Sequence, residues 1–126
     1  LGTYALSSGY YDAYYKKAQQ MRALVTEDFR EAFKNVDILI SPTCPNTAFE
    51  LGAKSSDPLS MYLTDIATIS CNLAGLPGIS VPAGFDSTGM PIGLQILAPQ
   101  FEEARLFNFA HRFEQENDFY TKLANV

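Results

Sequence analysis

This 126-residue chain contains no tryptophan, a single histidine and two cysteines, and each scarcity closes off some chemistry. Cys44, Cys71 and His111 do not make up a convincing zinc site, which takes four ligands. No secretory pattern opens the chain, so the two cysteines read as free thiols rather than a disulfide. A Ser-His-Asp arrangement would have to use His111, which sits between Ala110 and Arg112 with no Ser or Cys motif in view; a surface histidine is the plainer reading. The GxGxxG, Walker A, GxSxG and HExxH patterns are all missing, as are internal repeats and low-complexity linkers. Positive charge is thin: 9 Lys and Arg against 14 Asp and Glu leave a formal charge of -5. That balance argues against direct nonspecific binding of nucleic acid, which needs a basic surface to displace counterions. No apolar run approaches the ~20 residues that span a bilayer, and the first residues lack a basic segment followed by a hydrophobic one. A soluble, cytoplasmic protein is expected.

What is present is ordinary globular material. The chain is 47% hydrophobic and 18% charged, with a mean hydropathy of -0.05, and its length suits one domain over 1–126 with a real core. It opens on Leu1 in the middle of a pattern, without an initiator Met, so it is expected to be a piece of a longer chain.

The spacing predicts a first helix from Tyr10 to Lys34, where Ala18, Met21, Val25, Phe29, Ala32 and Phe33 recur at intervals of three and four. Tyr10, Tyr11, Tyr14 and Tyr15 read either as packing residues with their hydroxyls at the rim or as a platform for a ligand. Ile38-Leu39-Ile40 predicts a short buried strand, broken by Ser41-Pro42-Thr43-Cys44-Pro45. A loop of that kind at a strand's carboxyl end lines a site in many α/β sheets, but a purely structural loop fits as well. Residues 47–56 read as irregular surface. Asp57-Pro58 is a helix start, with Asp as cap and Pro at the first helical position. Leu59, Tyr62, Leu63, Ile66, Ile69 and Leu73 then predict one apolar face along a single helix ending at Asn72-Leu73-Ala74, with Gly75 taking the left-handed position beyond it. Asp65 falls near the edge of that face, as either a solvated carboxylate or one aimed into a cleft.

Ile79-Ser80-Val81 and Ile92-Gly93-Leu94-Gln95-Ile96-Leu97 predict central strands, and Asp86-Ser87-Thr88-Gly89 the turn between them. A final helix from Glu102 to about Glu116 carries Leu106, Phe109, Ala110 and Phe113 on one stripe, and 117–126 is expected to fray, with Phe119, Tyr120 and Leu123 able to fold back. The order of elements fits an α/β layer in which helices cover a small mixed sheet. Buried strands need cover on both faces, and a bare edge tends to pair, giving either a homodimer or an aggregation-prone product.

Four stretches carry a resemblance. NLAGLPGISVPAG followed by PIGLQILA resembles the carboxy-terminal part of the amidase signature family. Within the family, LGTYALSSGYYDAYYKKAQ at the start and DPLSMYLTDI further on resemble the glutamine-hydrolysing subunits of tRNA-dependent amidotransferases, and the likeness runs from Leu1 to about Phe113. It implies a fragment of a larger amidase fold, whose serine nucleophile, activated by a second serine and a lysine, lies upstream; Ser7 and Ser8 do not sit in the family's glycine-rich surroundings. It also implies that Asp65 binds the α-ammonium of substrate glutamine, with an arginine for the carboxylate just upstream of Leu1. The ammonia released would convert Glu-tRNA(Gln) or Asp-tRNA(Asn); the alternatives are part of another amidase of the same family or a non-catalytic assembly module. B and C subunits are the implied partners, with tRNA met through the complex. ATP and Mg are implied for the complete assembly, and no cofactor for this chain.

Overall fold

A computed structural model of the chain describes residues 14–53 and 57–124. Residues 1–13, which include Ser7, Ser8, Tyr10 and Tyr11, lie outside that range, as do 54–56 and 125–126. Among the described residues the elements in order are α1 (Lys16–Ala32), β1 (Leu39–Pro42), α2 (Pro58–Thr64), α3 (Ile66–Ala74), β2 (Gly78–Phe85), β3 (Pro91–Leu97) and α4 (Glu103–Glu116), followed by a 3-10 turn, Phe119–Thr121.

The sheet has the order β1-β3-β2, and both ladders are antiparallel. β1 and β2 run the same way, but the hairpin places β3 between them, so the two strands that could have formed a parallel pair never touch. This corrects the expectation of a mixed sheet within an otherwise α/β arrangement. The turn closing the β2–β3 hairpin is built on Asp86, whose Oδ1 accepts from the amides of Thr88 at 2.8 Å and Met90 at 3.0 Å. Gly89, at φ 86°, supplies the left-handed residue.

Alternation along β3 sends its two sets of side chains to different layers. Ile96 and Leu94 pack with Val81 and Ile79 of β2 against Leu106, Ala110 and Phe113 of α4, and Ile96 is wholly buried. This is the core, and the helix stripe read from sequence supplies its outer wall. Gly93, Gln95 and Leu97 point to the opposite layer, where α3 lies. The approach there is close at Gly78, since a Cβ on that residue would stand 2.9 Å from Leu97 Cδ2 and 3.0 Å from Cys71 Sγ.

Asp57 caps α2 as its sequence position predicts, accepting from the Ser60 amide at 3.1 Å, and Pro58 opens the helix. The helix does not run on to Ala74 unbroken. At Asp65 the backbone turns to φ -100°, ψ 4°, ending α2 and starting α3. The exit of α3 follows the expected chemistry: Gly75 is left-handed at φ 67°, its amide bonds to Asn72 O at 3.3 Å, and the Leu76 amide bonds to Cys71 O at 3.2 Å. Arg22 of α1 adds an Nε–H bond to Leu73 O at 2.7 Å, satisfying another of the terminal carbonyls.

The apolar stripe of α2 and α3 does not form a core in this chain. Tyr62 is 73% exposed and Ile66 59%, and Leu59, Leu63, Ile69 and Leu73 are exposed as well. Periodicity identifies which side of a helix is apolar, not what covers it. α1 likewise has no fully buried residue, although Val25, Phe29, Ala32 and Phe33 are half-buried along its stripe. Among the described residues, no helix is long and apolar enough to cross a membrane.

Candidate functional site

Asp65, the candidate substrate-binding residue, sits at the junction of α2 and α3. Its φ and ψ lie in the sparsely populated bridge region, where active-site residues are over-represented. An Asp at a helix start ordinarily turns its carboxylate back onto the first free amides. Asp65 does not: its side chain makes no capping bond, while its main-chain carbonyl accepts from the amides of Thr68 at 3.1 Å and Ile69 at 3.0 Å. The main-chain bonds thus hold the turn, and the residue is exposed.

Beside this turn runs a polar row on the sheet. Ser41 of β1, Gln95 of β3 and Ser80 of β2 stand in register across the three strands. Gln95 is the one buried polar side chain among the described residues, and its Nε2 donates to Ser41 Oγ at 3.1 Å and to Ala67 O at 3.0 Å. Ala67 is the second residue of α3, so the amide ties the sheet to the helix two residues past Asp65. The row continues where Thr43 Oγ1 and Ser80 Oγ lie 2.6 Å apart over Gly93. The SPTCP loop borders an open hollow of about 440 Å³ there, lined also by Thr47, Pro91 and Ile92. Asp65 is not among its lining residues.

The other candidates disperse. His111 is exposed on α4. Cys44 is an exposed free thiol at the hollow. Cys71 is also free; its Sγ–H donates to Leu76 O at 3.3 Å, and burial pushes the thiol's pKa up, away from the reactive thiolate. Tyr14 is exposed and the Tyr15 hydroxyl accepts from Gln19 Nε2 at 2.8 Å, while Tyr10 and Tyr11 lie outside the described residues. Among the described residues no group of three or more His, Cys, Asp or Glu could hold a metal ion. Reading the sequence missed Gln95 and the hydroxyl pair. The available signal was a lone amide inside the apolar run Ile92–Leu97, on the face opposite Leu94 and Ile96.

Comparison with known proteins follows the same line. The family model described as Amidase matches residues 1–107. The A subunit of glutamyl-tRNA(Gln) amidotransferase from Methylococcus capsulatus is 60% identical over 122 residues, covering 97% of this chain and 25% of the relative. Its counterpart from Pseudomonas putida F1 is 59% identical over 125 residues, covering 99% of this chain and 26% of its own length. The chain therefore spans about a quarter of these curated relatives. Among solved structures, the crystal structure of the Thermotoga maritima glutamyl-tRNA(Gln) amidotransferase A subunit matches with a TM-score of 0.72 at 43% identity, over 84% of this chain and 23% of that one. A 6-aminohexanoate cyclic dimer hydrolase complexed with substrate matches with a TM-score of 0.75 at 26% identity, over 94% and 27%. The sheet, the helix exit at Gly75 and the family match over most of its length together place this chain in the amidase signature family.

Proposed function

We propose that the chain is the carboxy-terminal part of the glutamine-hydrolysing subunit of a tRNA-dependent amidotransferase, and that Asp65 is the anion that receives the α-ammonium of glutamine. The observation that carries the assignment of Asp65 is its break between α2 and α3, where the carboxylate caps neither helix and is exposed. A free amino acid carries an ammonium and a carboxylate, and a site that selects it needs one fixed charge for each. Asp65 supplies the first. An arginine from a segment outside this chain supplies the second, and the serine nucleophile with its activating serine and lysine is contributed from outside this chain too.

In this reading the work of the present residues is to orient substrate. Fixing the ammonium places the side-chain amide of glutamine at a set distance from the nucleophile, so that binding energy is converted into alignment at the reacting carbon. The ammonia released passes to Glu-tRNA(Gln), or to Asp-tRNA(Asn), in a complex with B and C subunits; ATP and Mg serve activation of the acceptor there, away from this chain. The exposed apolar stripe of α2 and α3 is covered, in the same reading, by the remainder of the amidase domain.

The test is glutaminase activity of the full-length protein. Asp65→Ala and Asp65→Asn each lose a charge-assisted contact of about 1.5–3 kcal/mol, so kcat/KM for glutamine falls on the order of ten- to a hundredfold. Normal turnover in both variants would make Asp65 a surface carboxylate and sink the substrate assignment.

A further inference from the structure

We infer that Gln95 is a positioning residue for glutamine recognition, acting through Asp65; the inference rests on the proposed role of that carboxylate. Asp65 has no side-chain bond of its own to hold it as a cap. Its placement depends on the first turn of α3, and that turn is held from below. The two N–H groups of the Gln95 side-chain amide have different partners: one goes to Ser41 Oγ at 3.1 Å on β1, the other to Ala67 O at 3.0 Å on α3. With both donors engaged and only 6% of the residue exposed, the amide has one orientation available. From Ala67 the connection to the carboxylate is short, because the neighbouring Thr68 and Ile69 amides bond back to Asp65 O.

The far end of α3 is fixed separately, by the left-handed Gly75, by the Arg22 bond to Leu73 O and by the close approach of Cys71 to Gly78. Loss of the Gln95 bond therefore frees the amino-terminal turn while the helix stays docked. The consequence falls on the residue that begins the turn. A carboxylate that wanders binds an ammonium less well but leaves the nucleophile untouched, so the effect is on KM for glutamine rather than on kcat. A substrate without the ammonium, such as glutaramate (glutamine lacking its α-amino group), gives no purchase to Asp65 and is insensitive to Gln95.

The experiment uses the complete amidotransferase with Gln95→Met, close in shape but without a donor, alone and combined with Asp65→Asn. KM for glutamine rises about two- to tenfold in the single variant, as expected for one neutral hydrogen bond, with kcat and glutaramate turnover held. In the Asp65→Asn background the same change adds nothing, because the group it positions is gone. If Asp65→Asn itself has no effect on glutamine, the ammonium assignment falls and takes this inference with it. If Asp65→Asn has its effect but Gln95→Met is silent, or costs as much in the Asp65→Asn background, the ammonium assignment stands and the inference is overturned. Gln95→Leu, which also lacks a donor, is the second variant should Met weaken the fold. Equal loss on glutamine and glutaramate, or failure of both variants to fold, assigns Gln95 to the fold and overturns the proposal.

Discussion

Thr43 and Ser80 belong to opposite sides of the sheet, one just past β1 and the other in β2, yet their hydroxyl oxygens lie 2.6 Å apart. Outer strands of a three-stranded sheet are separated by roughly twice the ~4.8 Å strand spacing, so the residue between them must leave room. Gly93 does. A Cβ there would stand 2.8 Å from Thr43 Oγ1 and 2.9 Å from Ser80 Oγ. Gly93→Ala should destabilise the chain by about 1–3 kcal/mol, as overpacking does. Adding Ser80→Ala should recover part of that loss. In the otherwise unchanged chain, Ser80→Ala should cost about 0.5–1.5 kcal/mol for the lost bond. Denaturant midpoints of the four proteins check the non-additivity; strictly additive values would contradict this account of Gly93.

Asp86 predicts a pH dependence. Bonds from the hydroxyls of Thr47 and Thr88 and the amide of Met90 hold its carboxyl well below the usual carboxylate range. The folded chain thus favours the ionised form more than the unfolded chain, whose Asp titrates near ~3.9. The contribution is complete above that value and is lost as pH falls through it toward the lowered folded value. Thermal midpoints taken from about pH 6 down to about pH 2 should fall more steeply for the unmodified chain than for Asp86→Asn. Parallel curves would show that the turn does not draw on the charge.

The two apolar stripes should separate under truncation. Ile96→Ala removes a wholly buried side chain from the β-sheet–α4 core and should cost about 2–5 kcal/mol. Ile66→Ala, on the exposed stripe of α3, should stay within about 0.5 kcal/mol in this chain. Urea denaturation distinguishes them, and a large loss at Ile66 would mean that its stripe is covered.

At the exit of α3, Gly75→Ala should cost about 1–2 kcal/mol, because any side chain at φ 67° meets its own backbone. Little or no change in the denaturation midpoint would contradict the left-handed exit.

Local chemistry made much of this legible in the sequence. Asp57 with Pro58, Gly75 before Pro77, and Asp86 through Gly89 each act within a few residues, and each took the predicted form. Non-local facts were not legible. The β1-β3-β2 order depends on what pairs with the hairpin's second strand, which no local pattern encodes. The break at Asp65 involves neither Gly nor Pro, so the apolar spacing runs through it undisturbed from Leu63 to Ile66. Its stabilisation comes from the main-chain carbonyl of Asp65 and from Gln95, far along the chain in β3. The sequence therefore points to Asp65 as a candidate residue but not to the turn at which it sits.

The most direct measurement compares glutamine with glutaramate on the complete enzyme carrying Asp65→Asn. The two substrates share the reacting amide and the carboxylate and differ only in the ammonium. If Asp65 receives that charge, the ratio of their kcat/KM values falls on the order of ten- to a hundredfold, almost entirely through glutamine. An unchanged ratio would contradict the central claim, whatever the variant does to overall activity.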